Sequence, residues 1–541
     1  MRISTRFTQR VMLAAGVTLC ATAAQAAAHS YIPFTESLNS GGSQSIWLAD
    51  VDHLGNPPYQ LSNQVLDGNG AIAVLDDWTL DPITHLATGV TPQLVVWGTG
   101  GHLYKANLRS IQPVQQFSNG GYGELCSLAA LDERPYAAAK AYVQAVVEPT
   151  GSVNDCASGI GTQTWLIPAN ADNSVAPILE PTHWSVLGAF TDPTDGSFVR
   201  WIVWTGNEVD AYKANFTTHT TLLVGPPTGP APAVFGRQDG NALMVSAADD
   251  GVTHTDRLYH LSMAGSGLVS TFSYPDAAPC PAIGGVGGSV VDTATGVVAF
   301  SESTATGYAI YAAPLSGAAP VTAYSEASGS KCGSIGGDTV SGSFAGVVET
   351  DSISGGTRVL GVNEAGPANQ APNVLVNTGA NVSPSIRYTI DGHFWIPVLD
   401  FTGPTTAFTT VVADGNGTVL QSYSNSRVGD DIWHGFGTNA PIIERDVVYL
   451  FSPNATHCTG GVLTAVDPAA FTGTVISGVP ADACTTLAYG WQPASVGYVQ
   501  EAGGSSAVEI DPVGGKLYQL LGTDPNGFFT NLATLTGYPF Y

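Results

Sequence analysis

The chain is short of charge. Only 11% of its 541 residues are Asp, Glu, Lys or Arg, and 17 Lys and Arg face 43 Asp and Glu, for a formal net charge of −26. Nucleic acid and anionic lipid both reward a basic face, so neither is an expected partner. Past the first segment there is no apolar run long and unbroken enough to span a bilayer, so no membrane span is expected. Helical periodicity is almost absent. The one ambiguous stretch is "LDERPYAAAKAYVQA" (Leu131–Ala145), and Pro135 inside it argues against a helix. Catalytic signatures are missing too: the G-x-S-x-G elbow, the P-loop, H-E-x-x-H and the EF-hand loop. Without a CxxC or a Cys/His cluster, no metal and no cofactor are expected; His457 beside Cys458 does not make a zinc site alone.

What is present is apolar and aromatic matter, 44% and 9% of the chain, enough for a large core. The first residues read as a bacterial-type secretory signal, residues 1–26. Arg2, Arg6 and Arg10 are basic, "VMLAAGVTLCATAA" is apolar, and "AQA" (Ala24–Ala26) is a small-residue cleavage site. Leu19 stands before Cys20 where lipidation would want a small residue. A periplasmic or secreted protein is expected. Cleavage removes those three arginines from the 17 basic residues and leaves 14 against 43 acids, −29, which is read as a source of solubility.

Six cysteines then remain, Cys126, Cys156, Cys280, Cys332, Cys458 and Cys484. In an exported chain an even number reads as three disulfides, for which sequence alone allows fifteen connectivities.

Two stretches nearly repeat, "VVWGTGGHLYKANL" (Val95–Leu108) and "IVWTGNEVDAYKANF" (Ile202–Phe216). Each runs from an apolar segment ending in Trp97 or Trp204, through a turn, to a strand through Tyr104 or Tyr212. A diverged copy, "AKAYVQAVVE" to "TQTWLIPAN", lies between them. With that period the whole chain parses into units opening near Ile72, Cys126, Trp184, Pro232, Pro281, Gly333, Pro384, Trp433, Thr485 and Thr530. Each opener precedes three more strand-like runs, with turns such as "DGNG" between them. Four antiparallel strands at this period describe an all-β β-propeller over residues 27–541. The last unit has only "TNLATLT" before the chain stops. "SYIPFTES", "QSIWLADVD" and "PYQLSN" near the mature N-terminus supply three strands that would complete it and close the ring. Ten blades in one ring, two smaller rings, or a ring with one unit outside it all fit this count.

"SIWLADVDHLGNPPYQLS" (Ser45–Ser62), and more loosely "SPSIRYTIDGHFWIPVLD" (Ser383–Asp400), resemble the TolB-type propeller repeat, with its "I-x-x-x-D-x-x-G" hairpin and final "Q-L-T/S". The resemblance implies the fold and no partner, because propellers host unrelated functions.

On this map Cys280 and Cys332 occupy the same place in adjacent units and should pair across them. Cys126–Cys156 and Cys458–Cys484 are the sequential remainder, each bridge worth about 3–4 kcal/mol if unstrained.

The openers should line one mouth of a central channel. They bring His183, Trp184, Arg237, Arg387, Tyr388, Trp433, His434 and Tyr489 there. Arg can hold a carboxylate, His can move a proton near neutral pH, and Trp or Tyr can stack on a sugar. The bland alternative pairs those arginines with Asp338 or Asp391 as channel filling. Lys105 and Lys213 of the doubled stretch read as surface residues, and "AADDGVTHTDR" (Ala247–Arg257) as a solvated loop.

Two functions follow. One is a binding scaffold outside the cytoplasm that presents loops to a glycan or protein. The other is a secreted enzyme on a polyanionic glycan, in which Arg neutralises a uronate and His or Tyr abstracts the neighbouring proton. An electron-transfer quinoprotein would need cofactor-facing tryptophans and a metal pocket that cannot be assembled from this sequence.

Overall fold

In the computed structural model the described residues lie between Tyr31 and Asp524, apart from short connections and the longer segments 132–141, 192–198, 225–232, 248–254, 281–288, 425–447 and 454–460. They form ten antiparallel sheets in chain order. The first spans Tyr31–Ser62 in three strands. The second runs over Ile72–Gln116, the third Glu124–Leu179, the fourth Ser185–Val224, the fifth Ala233–Pro275 and the sixth Ser289–Glu326. Lys331–Thr378, Val382–Ser424, Val448–Val475 and Ala483–Asp524 make the seventh to the tenth. Strands within a sheet pair in sequence order, each with the next, except at the split opening of the eighth sheet. Among the described residues there is no helix. The all-β, repeated-meander expectation therefore holds. The ambiguous Leu131–Ala145 stretch enters and leaves as strand, Glu124–Leu131 and Tyr142–Glu148, and 132–141 fall outside the described residues.

Burial explains why the sheets cannot stand alone. Gly307–Pro314, the third strand of the sixth sheet, is buried on both faces (Tyr308, Ala309, Ile310 and Ala313 are fully inside), and so is much of Thr357–Asn363. A strand buried on both sides must lie between two other layers. Last strands such as Val419–Ser424 instead alternate between exposed and half-buried. Neighbouring sheets share cores accordingly. Ile46 and Leu48 of the first pack with Val74, Val95 and Trp97 of the second; Tyr308 and Ile310 of the sixth pack with Val347 and Leu360 of the seventh. The seventh and eighth share Phe344, Val359, Phe394 and Ile396, and the ninth and tenth share Tyr449, Leu463, Val499 and Val508.

The eighth sheet has five strands because its opening strand is split. Val382–Pro384 and Tyr388–Ile390 both pair with His393–Asp400, at Pro384 with Val398 and at Tyr388 with Trp395. In seven sheets the register slips between the third-position and last strands, for example between Ile310 and Tyr311 and between Val412 and Ala413. Such bulges add twist.

The turn before the last strand is the recurring device. An Asp or Asn accepts a backbone N–H two to four residues on in seven sheets: Asp50 from Asp52, Asn107 from Arg109, Asp172 from Ser174, Asn363 from Ala365, Asp414 from Thr418, Asp467 from Ala469 and Asp511 from Val513. Side-chain acceptance of this kind fixes a tight turn. The asparagine of "YKAN" in the second sheet is one of these caps; its counterpart Asn215 lies outside the described residues.

In several sheets this turn also hooks onto a neighbouring sheet. Asn369 N–H donates to Thr322 O (2.8 Å) from the seventh to the sixth, and Asn373 Nδ2 of the seventh donates to Gly415 O in the turn of the eighth (2.9 Å). Phe471 of the ninth packs on His393 and Trp395 of the eighth, with ring centroids 5.5 and 6.3 Å apart. Ser477, following the last strand of the ninth sheet, exchanges backbone bonds with Gly515 and Leu517 of the tenth (both 2.8 Å). The same turn in the first sheet reaches the tenth: Gly55 N–H donates to Glu509 Oε2 (2.7 Å).

Candidate functional site

Most of the predicted mouth residues cannot be placed. His183, Trp184, Arg237, Arg387, Trp433 and His434 lie outside the described residues, as does Asp391. Tyr388 and Tyr489 lie on opening strands as expected of openers, paired through their backbones with Trp395 and Val496. Of "AADDGVTHTDR", read as a loop, Ala247 and Thr255–Arg257 are strand residues and 248–254 lie outside the described residues.

Two of the expected disulfides are formed, Cys126–Cys156 and Cys280–Cys332. They are the chemistry of an oxidising compartment. Cys458 lies outside the described residues, and so does the side chain of Cys484.

Three of the buried ionisable groupings among the described residues bridge neighbouring sheets. The richest lies between the sixth and seventh. Tyr308 O–H donates to Glu349 Oε2 (2.8 Å), and Arg358 Nε donates to Glu349 Oε1 (2.7 Å) while its Nη2 pairs with the same oxygen. Glu349 is 1% exposed. Toward solvent, Glu326 accepts from Lys331 Nζ (3.2 Å), Tyr324 O–H (3.4 Å) and Ser328 N–H (3.1 Å), with Arg358 Nη2 3.7 Å away. Burial and the Glu349 carboxylate push the Tyr308 phenol far above its ordinary range, and burial with Glu326 and Glu349 pushes Tyr324 up to about 12. Both phenols stay protonated and act as donors, which bars them as bases near neutral pH. Burial works to raise the Glu326 carboxyl, but the Lys331 and Ser328 hydrogen bonds outweigh it and hold the carboxyl below its usual range. The set balances two cations against two carboxylates and clamps the sheets beside the Cys280–Cys332 bridge.

The second place corrects the surface reading of Lys105. Its side chain is buried, 9% exposed, and Nζ donates to Ala169 O (2.8 Å) and Ala171 O (2.6 Å) in the capped turn of the third sheet. It sits 5.1 Å from the Phe117 ring. Burial lowers its ammonium pKa, against the pull of Asp172. The lysine read as a surface residue is turned inward, where two carbonyls of the next sheet accept from it. The side chain of Lys213 lies outside the described residues.

The third place is Glu509, 1% exposed, whose Oε2 accepts from Gly55 N–H and whose Oε1 is buried without a hydrogen-bond partner. Burial raises its carboxyl, Gly55 N–H opposes that, and Asp50 and Asp511 add to the rise.

A fourth grouping, Glu124, Glu148 and Cys156, brings three ligand-type atoms within 4.8 Å of one another. Cys156 is disulfide-bonded, so its sulfur offers no thiolate and the set is not built for a cation. Sequence reasoning missed all three inter-sheet groups. Acids and a lysine two positions along a strand from inward apolar residues, Lys105 from Leu103, Glu349 from Val347 and Glu509 from Ala507, were the available signal.

No family model matches the chain, and no curated protein matches it. Among solved structures it is similar to dipeptidyl peptidase 4 of Porphyromonas gingivalis, at 11% identity and TM-score 0.39 over 80% of this chain and 58% of that one. It is also similar to a eukaryotic initiation factor (12%, 0.43, over 81% of this chain and 93% of that one) and to the tricorn protease (10%, 0.31, 91% and 53%). The chain thus spans little more than half the length of either protease. Among the described residues no helix is long and apolar enough to cross a membrane.

Proposed function

We propose that the chain is an exported β-propeller that serves as a binding scaffold, its ten sheets the blades of one ring. In this reading residues 1–26 are removed, "TNLATLT" completes the three-stranded first sheet, and loops at one channel mouth meet a glycan or protein ligand. The observation that carries the ring is the Gly55–Glu509 bond. The kind of turn that joins the seventh, eighth and tenth sheets to their neighbours joins the first sheet to the tenth. A scaffold role is supported by where the buried charges are spent. Lys105, Arg358 and Glu349 all tie one sheet to the next, which favours rigidity over reactivity. The ligand-facing set is His183, Trp184, Arg237, Arg387, Tyr388, Trp433, His434 and Tyr489, whose guanidinium and aromatic groups suit a carboxylated sugar chain.

Equilibrium binding of the mature chain to a panel of neutral and uronate polymers tests this. Retention of a uronate polymer, weakened about tenfold or more by Arg387→Ala or Arg237→Ala, is the expected result. Growth of the ultraviolet absorbance of unsaturated uronides during incubation, lost in His434→Ala, would replace the scaffold with a lyase. Failure to bind any polymer would remove the glycan and leave a protein ligand.

A further inference from the structure

The contact between the first and tenth sheets differs from its counterparts in one respect: it is made through an ionisable side chain that no cation meets among the described residues. Glu509 stands on the strand Gly504–Asp511, fully buried, with Oε2 on Gly55 N–H at 2.7 Å and Oε1 lacking any partner among the described residues. Gly55 has φ +80° and its Cα lies against Tyr518, where an added Cβ would come within 2.5 Å of the ring. The turn therefore cannot slide away from the carboxyl without giving up that contact.

The charged and titratable groups facing this point are known from both sides. Asp50 from the first sheet and Asp511 from the same hairpin act on Glu509, both negative. Asp52 and His53 lie in the turn that carries Gly55, with His53 Nδ1 on Asp50 Oδ2 (3.0 Å). On the tenth sheet Lys516 lies over the Tyr518 ring, 4.3 Å from its centroid.

We propose that this seam is a proton-operated latch: with Glu509 protonated the first sheet is held firmly on the tenth, and loss of that proton loosens it. A neutral carboxyl keeps an oxygen for Gly55 N–H while ending its repulsion with Asp50 and Asp511 and the cost of an unpaired buried charge. The direction of the pH effect follows from linkage. Closing the seam raises the carboxyl pKa, so the closed form binds the proton more tightly. Seam stability is complete below the ordinary carboxylate range and is lost as pH rises through the closed-state value. An exported ring with such a seam would be tighter in acidic surroundings than in neutral ones. The inference concerns the seam alone and stands apart from any ligand.

Amide hydrogen exchange on the mature chain, expressed as protection factors so that the intrinsic pH dependence divides out, tests it. As pH is raised from the ordinary carboxylate range into the mildly alkaline, protection of Tyr31–Ser37 and Gln44–Asp50 should fall severalfold relative to the second-sheet strand His102–Asn107. In Glu509→Gln, close in shape and always neutral, that relative protection should stay level. In Asp50→Asn, whose amide still caps the turn, the fall should begin at lower pH. Level protection in the wild-type chain, or a fall of the same size in Glu509→Gln, would overturn the latch.

Discussion

Glu349 and Glu509 are each 1% exposed and each sits at a seam between sheets, yet they are solvated by the protein in opposite ways. Glu349 receives a guanidinium and a phenol, and Glu509 a single backbone N–H. A buried carboxylate without a counter-charge costs several kcal/mol, whereas a paired one recovers much of that through its partner. The seam between the sixth and seventh sheets, also crossed by the Cys280–Cys332 bridge, is therefore fixed over the range in which its ions stay charged. The seam between the first and tenth depends on one proton. Burial alone does not say which behaviour a glutamate shows; the partner does.

Arg358→Met should break this contrast with the largest effect. It strands Glu349 as Glu509 is stranded, and a loss of about 3 kcal/mol is expected in urea unfolding near neutral pH. Lowering the pH should restore part of that stability, because the stranded carboxyl can then be protonated; if instead the loss is the same at all pH, the comparison fails. Lys105→Met comes next. It leaves the Ala169 and Ala171 carbonyls without their donor, for about 1–3 kcal/mol, and should loosen the third sheet against the second, seen as faster amide exchange in Gln163–Pro168. Smallest is Glu326→Gln, about 1 kcal/mol or less, since Glu326 and Lys331 are part-exposed. Its pH sign is opposite to that of Glu509. The Glu326 carboxyl is held below its usual range, so its contribution is present above the unfolded value and vanishes as pH falls through the folded one. The wild-type and variant unfolding curves should therefore converge in acid.

Strands, their pairing in order and the unit period were legible because alternation and turn residues are local signals. Cys280–Cys332 was legible because the two cysteines hold equal positions in adjacent units. The inward turn of Lys105 was not legible, since nothing near it in sequence names the carbonyls of Ala169 and Ala171 some sixty residues on. Nor were the bulges before the last strands, which arise from how sheets twist against each other and have no residue signature of their own. The meaning of "YKAN" came only with the fold: an aromatic packed beside Trp97, a lysine for the next sheet, and an asparagine that caps the turn.

Two of the hooks between sheets use backbone atoms alone, Asn369 N–H on Thr322 O and Ser477 with Gly515 and Leu517. A joint of that kind asks almost nothing of the amino acids on either side of it. Copies of the unit can then drift apart in composition, or be gained and lost by duplication, while the joints between them keep working. That tolerance accounts for a chain whose architecture repeats ten times and whose wording repeats clearly only once.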